Sequence, residues 1–424
     1  MKTPWELLKE SKTKIKTTWR IAFVSALVLG LLIHLPVMLS DIPNHDGLSS
    51  MYFDQNMITS GRWFLIVACG FSSYFTIPWV IGLIGLIWLA LTAAVLTEVL
   101  ELTDPVTITV VSGLLVSFPA LASTFAYVFT MDGYMLALFL AVLAVLFTAK
   151  YPRGYLAGAV CLAFSMGIYQ AYLPFTILLC VYKILLYFME EKGWKEKAKY
   201  VCRYLGMGIA GGVLYYVILQ ILLKLQGKVL DTYQGINSME QMGSGMGILA
   251  TIKGMYVDFL AFTVHGNVLV NNIFSLAACI ILVATVVFLV IRSMIWRKWW
   301  KNPAFFVIMI LLGISMPLLT NVILLISPNL TYHLLMRYQW VLYLILMTAF
   351  ADRYTAEESR TDVVLQWAAL CAAVVLVFDY GISDNIGYSN LEKKYEKTYA
   401  YCVRLLDRIE QTPEGKDLSE SPTG

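Results

Sequence analysis

The chain has 424 residues, of which 59% are hydrophobic and only 14% are charged, and its formal net charge is +3. Soluble domains carry about 25% charged residues, so the composition excludes an ordinary soluble protein, and so small a net charge does not indicate nucleic-acid binding. The seven cysteines lie mostly in apolar stretches without C-x-x-C or Cys/His ligand spacing. A disulfide framework or a zinc site is therefore not predicted.

Apolar segments dominate the chain, and crossing a bilayer takes about 20 such residues. They predict an all-α polytopic membrane protein with about eleven transmembrane helices. The first segment is too long for a signal-peptide core, so we interpret it as an uncleaved span. A shorter apolar piece, 62–75, is expected to dip into the membrane surface. The predicted spans are 19–39, 77–99, 105–125, 133–150, 154–171, 172–190, 203–224, 270–292, 303–326, 337–352 and 362–380.

Lysine and arginine placement predicts the orientation, because cytoplasmic loops are enriched in these residues. Alternate connections are basic, and they predict a membrane protein with a cytoplasmic N-terminus and an extracytoplasmic C-terminus. The acidic turn 98–104 falls on the cytoplasmic side and fits the rule poorly. The basic stretches are the N-terminus, 150–153, 192–203, 292–301 and 353–360. We divide the chain into a membrane domain, 1–380, and an extracytoplasmic tail, 381–424, with a short amphipathic helix around 395–409.

The first outer loop, residues 40–61, concentrates groups that can carry chemistry. From Ser49 onward its pattern is typical of a short amphipathic helix in the interface. A carboxylate held there could take a proton from a sugar hydroxyl as a general base, and Arg62 and Trp63 follow at once. The alternative is a solvated loop anchored by Trp63. The loop contains three carboxylates and an imidazole: Asp41, His45, Asp46 and Asp54.

Two other outer segments offer binding groups. Tyr169, Gln170 and Tyr172 interrupt a long apolar stretch, and their rings and amide suit a sugar; the alternative is a pair of interfacial tyrosines with a helix-to-helix hydrogen bond. Arg337, with His333 nearby, lies at the outer end of the tenth span, where arginine can hold a phosphate. Snorkelling to lipid headgroups is the competing interpretation of Arg337. The long loop 226–272 is either a glycine-hinged lid or a simple exposed loop.

The order of these motifs resembles a known family. An Asp-bearing outer loop runs into Gly61-Arg62-Trp63, followed by Ser117-Phe118-Pro119, Tyr169-Gln170-Ala171-Tyr172 and the Arg337 segment. The pattern, over about 20–385, resembles the bacterial serotype-converting O-antigen glucosyltransferases of the Gtr type II-like group, in the GT-C class. The resemblance implies transfer of a sugar from a polyprenyl-phosphate donor on the outer face, with an acidic residue of the first outer loop as catalytic base.

Carried onto this chain, the resemblance makes Asp46 the first choice for that base, Asp41 the second and Asp54 the third. The family pattern has paired acids where this chain has His45-Asp46, which leaves open whether a divalent metal takes part. We therefore expect an inverting glycosyltransferase with a polyprenyl-phosphate sugar, a glycan acceptor and membrane lipid as partners. In this scheme Arg337, Arg62 and His333 bind the donor phosphate, and Trp63, Tyr169, Gln170, Tyr172 and His45 bind sugar. A transporter or flippase for a lipid-linked sugar is the alternative function.

Overall fold

The computed structural model describes residues 3–6, 10, 14–40, 42, 56–70, 77–190, 192–231, 248–296, 298, 303–327, 330–354 and 359–412. Within these ranges the chain is almost wholly helical and forms no β-strand, only one isolated bridge between Met57 and Arg62. The helices are α1 Thr17–Leu39, α2 Leu65–Ala68, α3 Pro78–Leu100, α4 Pro105–Ser117, α5 Pro119–Phe125, α6 Met131–Lys150, α7 Gly154–Ile168, α8 Leu173–Phe188, α9 Trp194–Gln226, α10 Ile248–Leu260, α11 Ile273–Trp296, α12 Pro303–Thr320, α13 Val322–Ile326, α14 Val341–Tyr354 and α15 Arg360–Glu410.

The predicted spans are helices, which confirms an all-α polytopic membrane protein. In the described part, nine helices are long and apolar enough to cross a membrane, or ten if the bent pair α4 and α5 counts as one span. Proline at the first helical position begins α3, α4 and α5, where a missing N–H costs nothing. Asp104 caps α4 by accepting a hydrogen bond from the Thr107 N–H at 2.7 Å.

A break between α4 and α5 bends the chain by 50°. Pro119 causes it, because proline has no N–H to bond the carbonyl four residues earlier. The carbonyls left without helical partners are bonded by side chains from elsewhere: the Tyr338 hydroxyl donates to Leu115 O, and His34 Nε2 lies 2.7 Å from Val116 O. The break is thus held by groups from the first span and from the segment 334–340.

The helices pack in two rows that share α1. One row runs α1, α3, α6, α7 and α9, and the other runs α1, α4, α15, α11 and α14. Short 3-10 turns, Ile58–Ser60, Gln170–Tyr172 and Leu334–Trp340, connect the rows at one end of the bundle. That end, which we call the cavity end, collects the segments predicted to be outer connections.

The opposite end, which we call the basic end, collects the predicted cytoplasmic connections. Glu98 pairs with Lys16 at 2.7 Å and with Lys150 at 2.9 Å. Glu101 pairs with Lys183 at 2.6 Å and with Arg353 at 2.7 Å. Burial raises the pKa of the Glu101 carboxyl, but the hydrogen bonds from Lys183 and Arg353 prevail and hold it below its usual range. The acidic turn that fitted the orientation rule poorly is therefore the counter-charge of this end.

Two elements differ from the sequence prediction. Residues 248–260 form the helix α10, continued by a π-helical turn Ala261–His265, where a loop or lid was expected. The last span does not stop at residue 380 but continues as the 51-residue helix α15. No proline interrupts residues 360–410, so nothing in the backbone ends the helix before Glu410. The predicted interfacial helix from Ser49 lies mainly in residues 43–55, outside the described residues.

Candidate functional site

The segment 57–63 is a tight turn that projects Arg62 into the cavity end. A 3-10 turn, Ile58–Ser60, is closed by Gly61, which adopts the left-handed conformation with φ 76° and donates its N–H to Ile58 O at 2.9 Å. The Arg62 N–H then bonds Met57 O at 3.1 Å. Only glycine adopts this φ without strain, so the turn that places Arg62 depends on Gly61.

Two side chains from the bundle fasten this turn. Gln170 Nε2 donates to Ser60 O at 3.2 Å and to the Tyr215 hydroxyl at 3.0 Å, and that hydroxyl donates to Gly61 O at 3.0 Å. A Cβ added to Gly61 would lie 2.6 Å from Gln170 Nε2 and from the Tyr215 oxygen. Gln170, predicted to bind sugar, therefore uses its amide N–H groups to hold the turn.

Arg62 lies on a stack of tyrosines. Its guanidinium carbon is 5.1 Å from the centre of the Tyr169 ring, and Nη1 donates to the Tyr134 hydroxyl at 3.2 Å. The Tyr134 and Tyr169 rings stack with centroids 4.2 Å apart and an interplanar angle of 7°. Cation–π contact and the hydrogen bond fix the arginine in a partly buried position, where its charge is screened less than in water.

A cavity of about 60 Å³ lies beside Arg62. It is large enough to hold ordered water or a small ligand group. Three predicted outer connections and α9 contribute walls, which include Arg62, Tyr169, Gln170, Tyr215, Ser327 and Met336. Arg62, Tyr169 and Gln170, which the sequence offered as binding groups, thus line one cavity together with Tyr215.

Trp63 and Tyr172 lie away from this cavity. The Trp63 indole is 6% exposed and packs edge-on against Phe164. A Cβ on Gly167 would meet that indole at 2.5 Å, so glycine is needed for this contact. Tyr172 is 1% exposed and meets the rings of Tyr169 and Tyr338 edge to face. Both side chains fill the bundle behind the Arg62 stack.

Arg337 is bound by a carboxylate that the sequence reading overlooked. Its Nη1 and Nη2 donate to the two oxygens of Asp258 at 2.8 and 2.7 Å, and Nε donates to Tyr332 O at 3.2 Å. The guanidinium carbon lies 3.9 Å from the centre of the Tyr332 ring and 4.6 Å from that of Phe262. The Arg337 guanidinium would have to release Asp258 before it could bind a phosphate.

The remaining predicted site residues fall into two groups. His333 is described and exposed, at the start of the 3-10 turn Leu334–Trp340. The rest lie outside the described residues, so their assignment as base and sugar ligand stays a prediction: Asp41, His45, Asp46 and Asp54. Among the described residues, no group of three His, Cys, Asp or Glu side chains could hold a metal ion.

An apolar groove of about 600 Å³ opens between α1 and α15. Leu32, Ile33, Phe378 and Ile382 are among its walls, and Asn385 is one of its few polar members. Asn385 donates to Ile33 O at 3.2 Å and so joins the two helices. The groove faces the surroundings of the bundle and is lined almost wholly by carbon.

Two carboxylates, one partly buried and one fully buried, were missed because their segments were assigned to an outer loop and a tail. Asp258 interrupts the apolar face of α10, and an ionisable residue in such a segment calls for a partner. Asp384 lies between Tyr380 and Tyr388 at four-residue spacing, and all three are buried on one face of α15. That spacing was a readable helical signal.

The fold and the cavity define a polytopic helical membrane protein whose binding groups gather at one end of the bundle. The family model for the glucosyl transferase GtrII matches residues 35–351. The chain therefore belongs to this family of glucosyltransferases. The match ends within α14, before α15. No curated protein and no solved structure matches the chain.

Proposed function

We propose that the protein transfers a glucosyl unit from a polyprenyl-phosphate donor to a cell-surface glycan on the extracytoplasmic side of the bacterial plasma membrane. The observation that carries the proposal is the position of Arg62. Its guanidinium lies on the Tyr169 ring beside a small, mostly apolar cavity at the end of the bundle opposite the basic end. Cytoplasmic loops are enriched in lysine and arginine, so the cavity end is the extracytoplasmic end in this proposal.

Arg62 binds the donor phosphate in this mechanism. The acceptor hydroxyl oxygen attacks the anomeric carbon from the face opposite the phosphate, so the configuration inverts. The bond between that carbon and the phosphate oxygen breaks, and its electron pair stays on the phosphate. A fixed guanidinium stabilises the charge that develops there. The leaving group needs no proton, which distinguishes this reaction from the two-carboxylate hydrolysis of glycosides.

The acceptor proton passes to a carboxylate of the first outer loop. Asp46 is the first candidate, followed by Asp41 and Asp54, and His45 neighbours the first of them. Tyr169 forms the aromatic floor behind the phosphate, and Tyr172 supports the Tyr169 ring from within the bundle. Arg337, bound to Asp258, acts by holding α10 against the segment 332–340, and it contacts no phosphate in this scheme.

The apolar groove between α1 and α15 accommodates the donor's prenyl chain. Its walls are carbon, and its volume of about 600 Å³ is ten times that of the Arg62 cavity. An alkyl chain gains about 0.8 kcal/mol for each methylene it removes from water. Within a bilayer that gain disappears, so the groove supplies shape and orientation for the chain.

The test uses purified protein and radiolabelled polyprenyl-phosphate glucose. Arg62→Gln should lower the rate of transfer about 100-fold or more, as loss of one preorganised donor does, and Arg62→Lys should retain part of it. Arg153→Gln, an exposed arginine at the basic end, is the matched control and should transfer at the wild-type rate. Equal rates for Arg62→Gln and Arg153→Gln would remove Arg62 from the phosphate site.

Two further measurements separate the candidate base and the alternative function. Asp46→Asn that transfers at the wild-type rate would pass the base role to Asp41 or Asp54. A transporter or flippase for a lipid-linked sugar would move the donor across a vesicle membrane without forming a new glycosidic bond. Transfer by detergent-solubilised protein, where no membrane gradient exists, would exclude transport as the sole activity.

A further inference from the structure

Asp384 is a buried carboxylate whose oxygens have no hydrogen-bond partner within the described ranges. It is 2% exposed and lies on the face of α15 that points into the bundle, between Tyr380 and Tyr388. Neither Oδ1 nor Oδ2 accepts a hydrogen bond there. Buried carboxylates normally accept several hydrogen bonds, because burial without a donor costs free energy.

The hydroxyls of the tyrosines around Asp384 already donate hydrogen bonds to other acceptors. The Tyr338 hydroxyl donates to Leu115 O at the α4–α5 break. His34 Nε2 lies 2.7 Å from Val116 O, which can only accept, so in the neutral ring Nε2 carries the proton and Nδ1 accepts. The Tyr388 hydroxyl, 2.7 Å from Nδ1, therefore donates to His34. The third tyrosine, Tyr380, donates its hydroxyl to Leu269 O at 2.8 Å. None of the three can also donate to Asp384, so the carboxylate needs a donor from outside this cluster.

The position of Asp384 relates it to the proposed reaction. The next residue, Asn385, bonds Ile33 O at 3.2 Å, which places Asp384 near the level of Ile33 and His34 on α1. About 7–9 Å of helix separates that level from the end of α1 at Leu39, where the loop with Asp41 and Asp46 begins. The α4–α5 break lies at the same level, and non-helical backbone at membrane depth is tolerated where it is buried or lines a cavity.

We propose that Asp384 is a sugar-binding carboxylate: its two oxygens accept hydrogen bonds from two neighbouring hydroxyls of the donor hexose. The inference rests on the proposed function. A sugar supplies the hydroxyl donors that the cluster lacks, whereas a phosphate supplies only acceptors. A cation would need more ligands, and in the described part no three His, Cys, Asp or Glu side chains form a group. Both ring nitrogens of His34, the nearest imidazole, are already engaged.

The experiment compares polyprenyl-phosphate glucose with its monodeoxy analogues, each lacking one hydroxyl, for binding and for transfer. Wild-type protein should discriminate against two analogues with adjacent missing hydroxyls by about 100-fold or more, because each leaves a buried acceptor unpaired. Asp384→Asn should lower transfer from the full donor about 100-fold and shrink that discrimination to a few-fold. Its melting temperature should not fall, because an amide of the same shape removes no hydrogen bond that Asp384 makes with the described residues.

Asp379→Asn is the matched control. Asp379 lies on the same helix, is only partly buried and already accepts a hydrogen bond from Asn272. The Asp379→Asn variant should discriminate among the deoxy donors as strongly as the wild-type protein does. The inference is overturned if Asp384→Asn discriminates among the donors as wild type does, or transfers at the wild-type rate. If the wild-type protein binds the donors but transfers no sugar, only the proposed function is contradicted, because the binding discrimination still tests the role of Asp384. If it binds none of the donors, both proposals are contradicted.

Discussion

The two ends of the bundle treat ionisable side chains in opposite ways. At the basic end Glu98 and Glu101 each pair with two cations from distant helices, at distances of 2.6 to 2.9 Å. At the cavity end Arg62 lies on a tyrosine stack beside an open space, and Asp384 has no hydrogen bond in the described structure. Charges that are already satisfied serve orientation and stability. The Asp384 carboxyl, buried without a hydrogen bond from the described residues, costs stability and is retained where a ligand supplies the missing donor.

Arg337 provides the strongest test of this division, because it lies near the cavity end and yet is paired. Asp258→Asn should lower the free energy of unfolding by about 3 kcal/mol, since it leaves the Arg337 charge buried, and Arg337→Gln by somewhat less, since Asp258 is 27% exposed. Arg337→Met combined with Asp258→Leu should recover much of that loss. Chemical unfolding in detergent measures it. If the free energy of unfolding of either single variant is close to that of the wild type, Asp258 does not hold Arg337.

Gly61 tests whether the turn that carries Arg62 must be rigid. Gly61→Ala should lower the free energy of unfolding by about 2–3 kcal/mol, from left-handed strain and from the contacts with Gln170 and Tyr215. Transfer should fall with it. Gly227 is the control, with φ 63° and nothing within 4 Å of an added Cβ. Gly227→Ala should cost only the strain, about 1 kcal/mol, with full transfer. Equal losses of stability and transfer in the two variants would contradict the role of these contacts.

The α4–α5 break tests whether the neighbourhood of Asp384 is held by its tyrosines. Tyr338→Phe removes the hydroxyl that bonds Leu115 O and should lower the free energy of unfolding by about 1–2 kcal/mol. Tyr216 is exposed on α9, so Tyr216→Phe should leave stability unchanged in the same thermal unfolding measurement. If the two variants melt alike, the hydroxyl of Tyr338 does not support the break.

The smallest effect is expected at the basic end. Glu98→Gln removes two pairs whose lysines are 53% and 41% exposed, and such pairs contribute about 0–1 kcal/mol each. Transfer should stay at the wild-type rate when assayed beside Arg62→Gln. A large loss of transfer in Glu98→Gln would contradict the division, because a charge at the basic end would then be needed for transfer.

Much of the fold was readable from the sequence because hydropathy reports span length directly. Each predicted span is helical in the structure, although 105–125 and 303–326 are each divided into two helices and 337–352 begins in a 3-10 turn. The basic connections gather at one end of the bundle. Helix α10 was missed because its apolar stretch is short and contains the charged residues Lys253 and Asp258. The continuation of α15 was missed because its polar residues resembled a tail, although no proline ends the helix there.

The site was readable only in part. Arg62, Tyr169 and Gln170 were predicted and share one cavity. The role of Gln170 in holding the turn, the partnership of Arg337 with Asp258 and the isolation of Asp384 depend on distances between segments far apart in the chain. A single sequence shows which residues are polar, but not which of them meet.

The length of helix α15 turns a small tilt near Asp384 into a large displacement at the far end of the helix. Residues 391–410 are exposed almost throughout and extend the rod that carries Asp384 by about 30 Å. A tilt of about 10° at the level of Tyr388 would move residue 410 sideways by about 6 Å, given a rise of about 1.5 Å per residue. The exposed thiol of Cys402 lies on this arm, so a fluorophore attached there would convert a small rearrangement beside the carboxylate into a displacement large enough to follow by energy transfer.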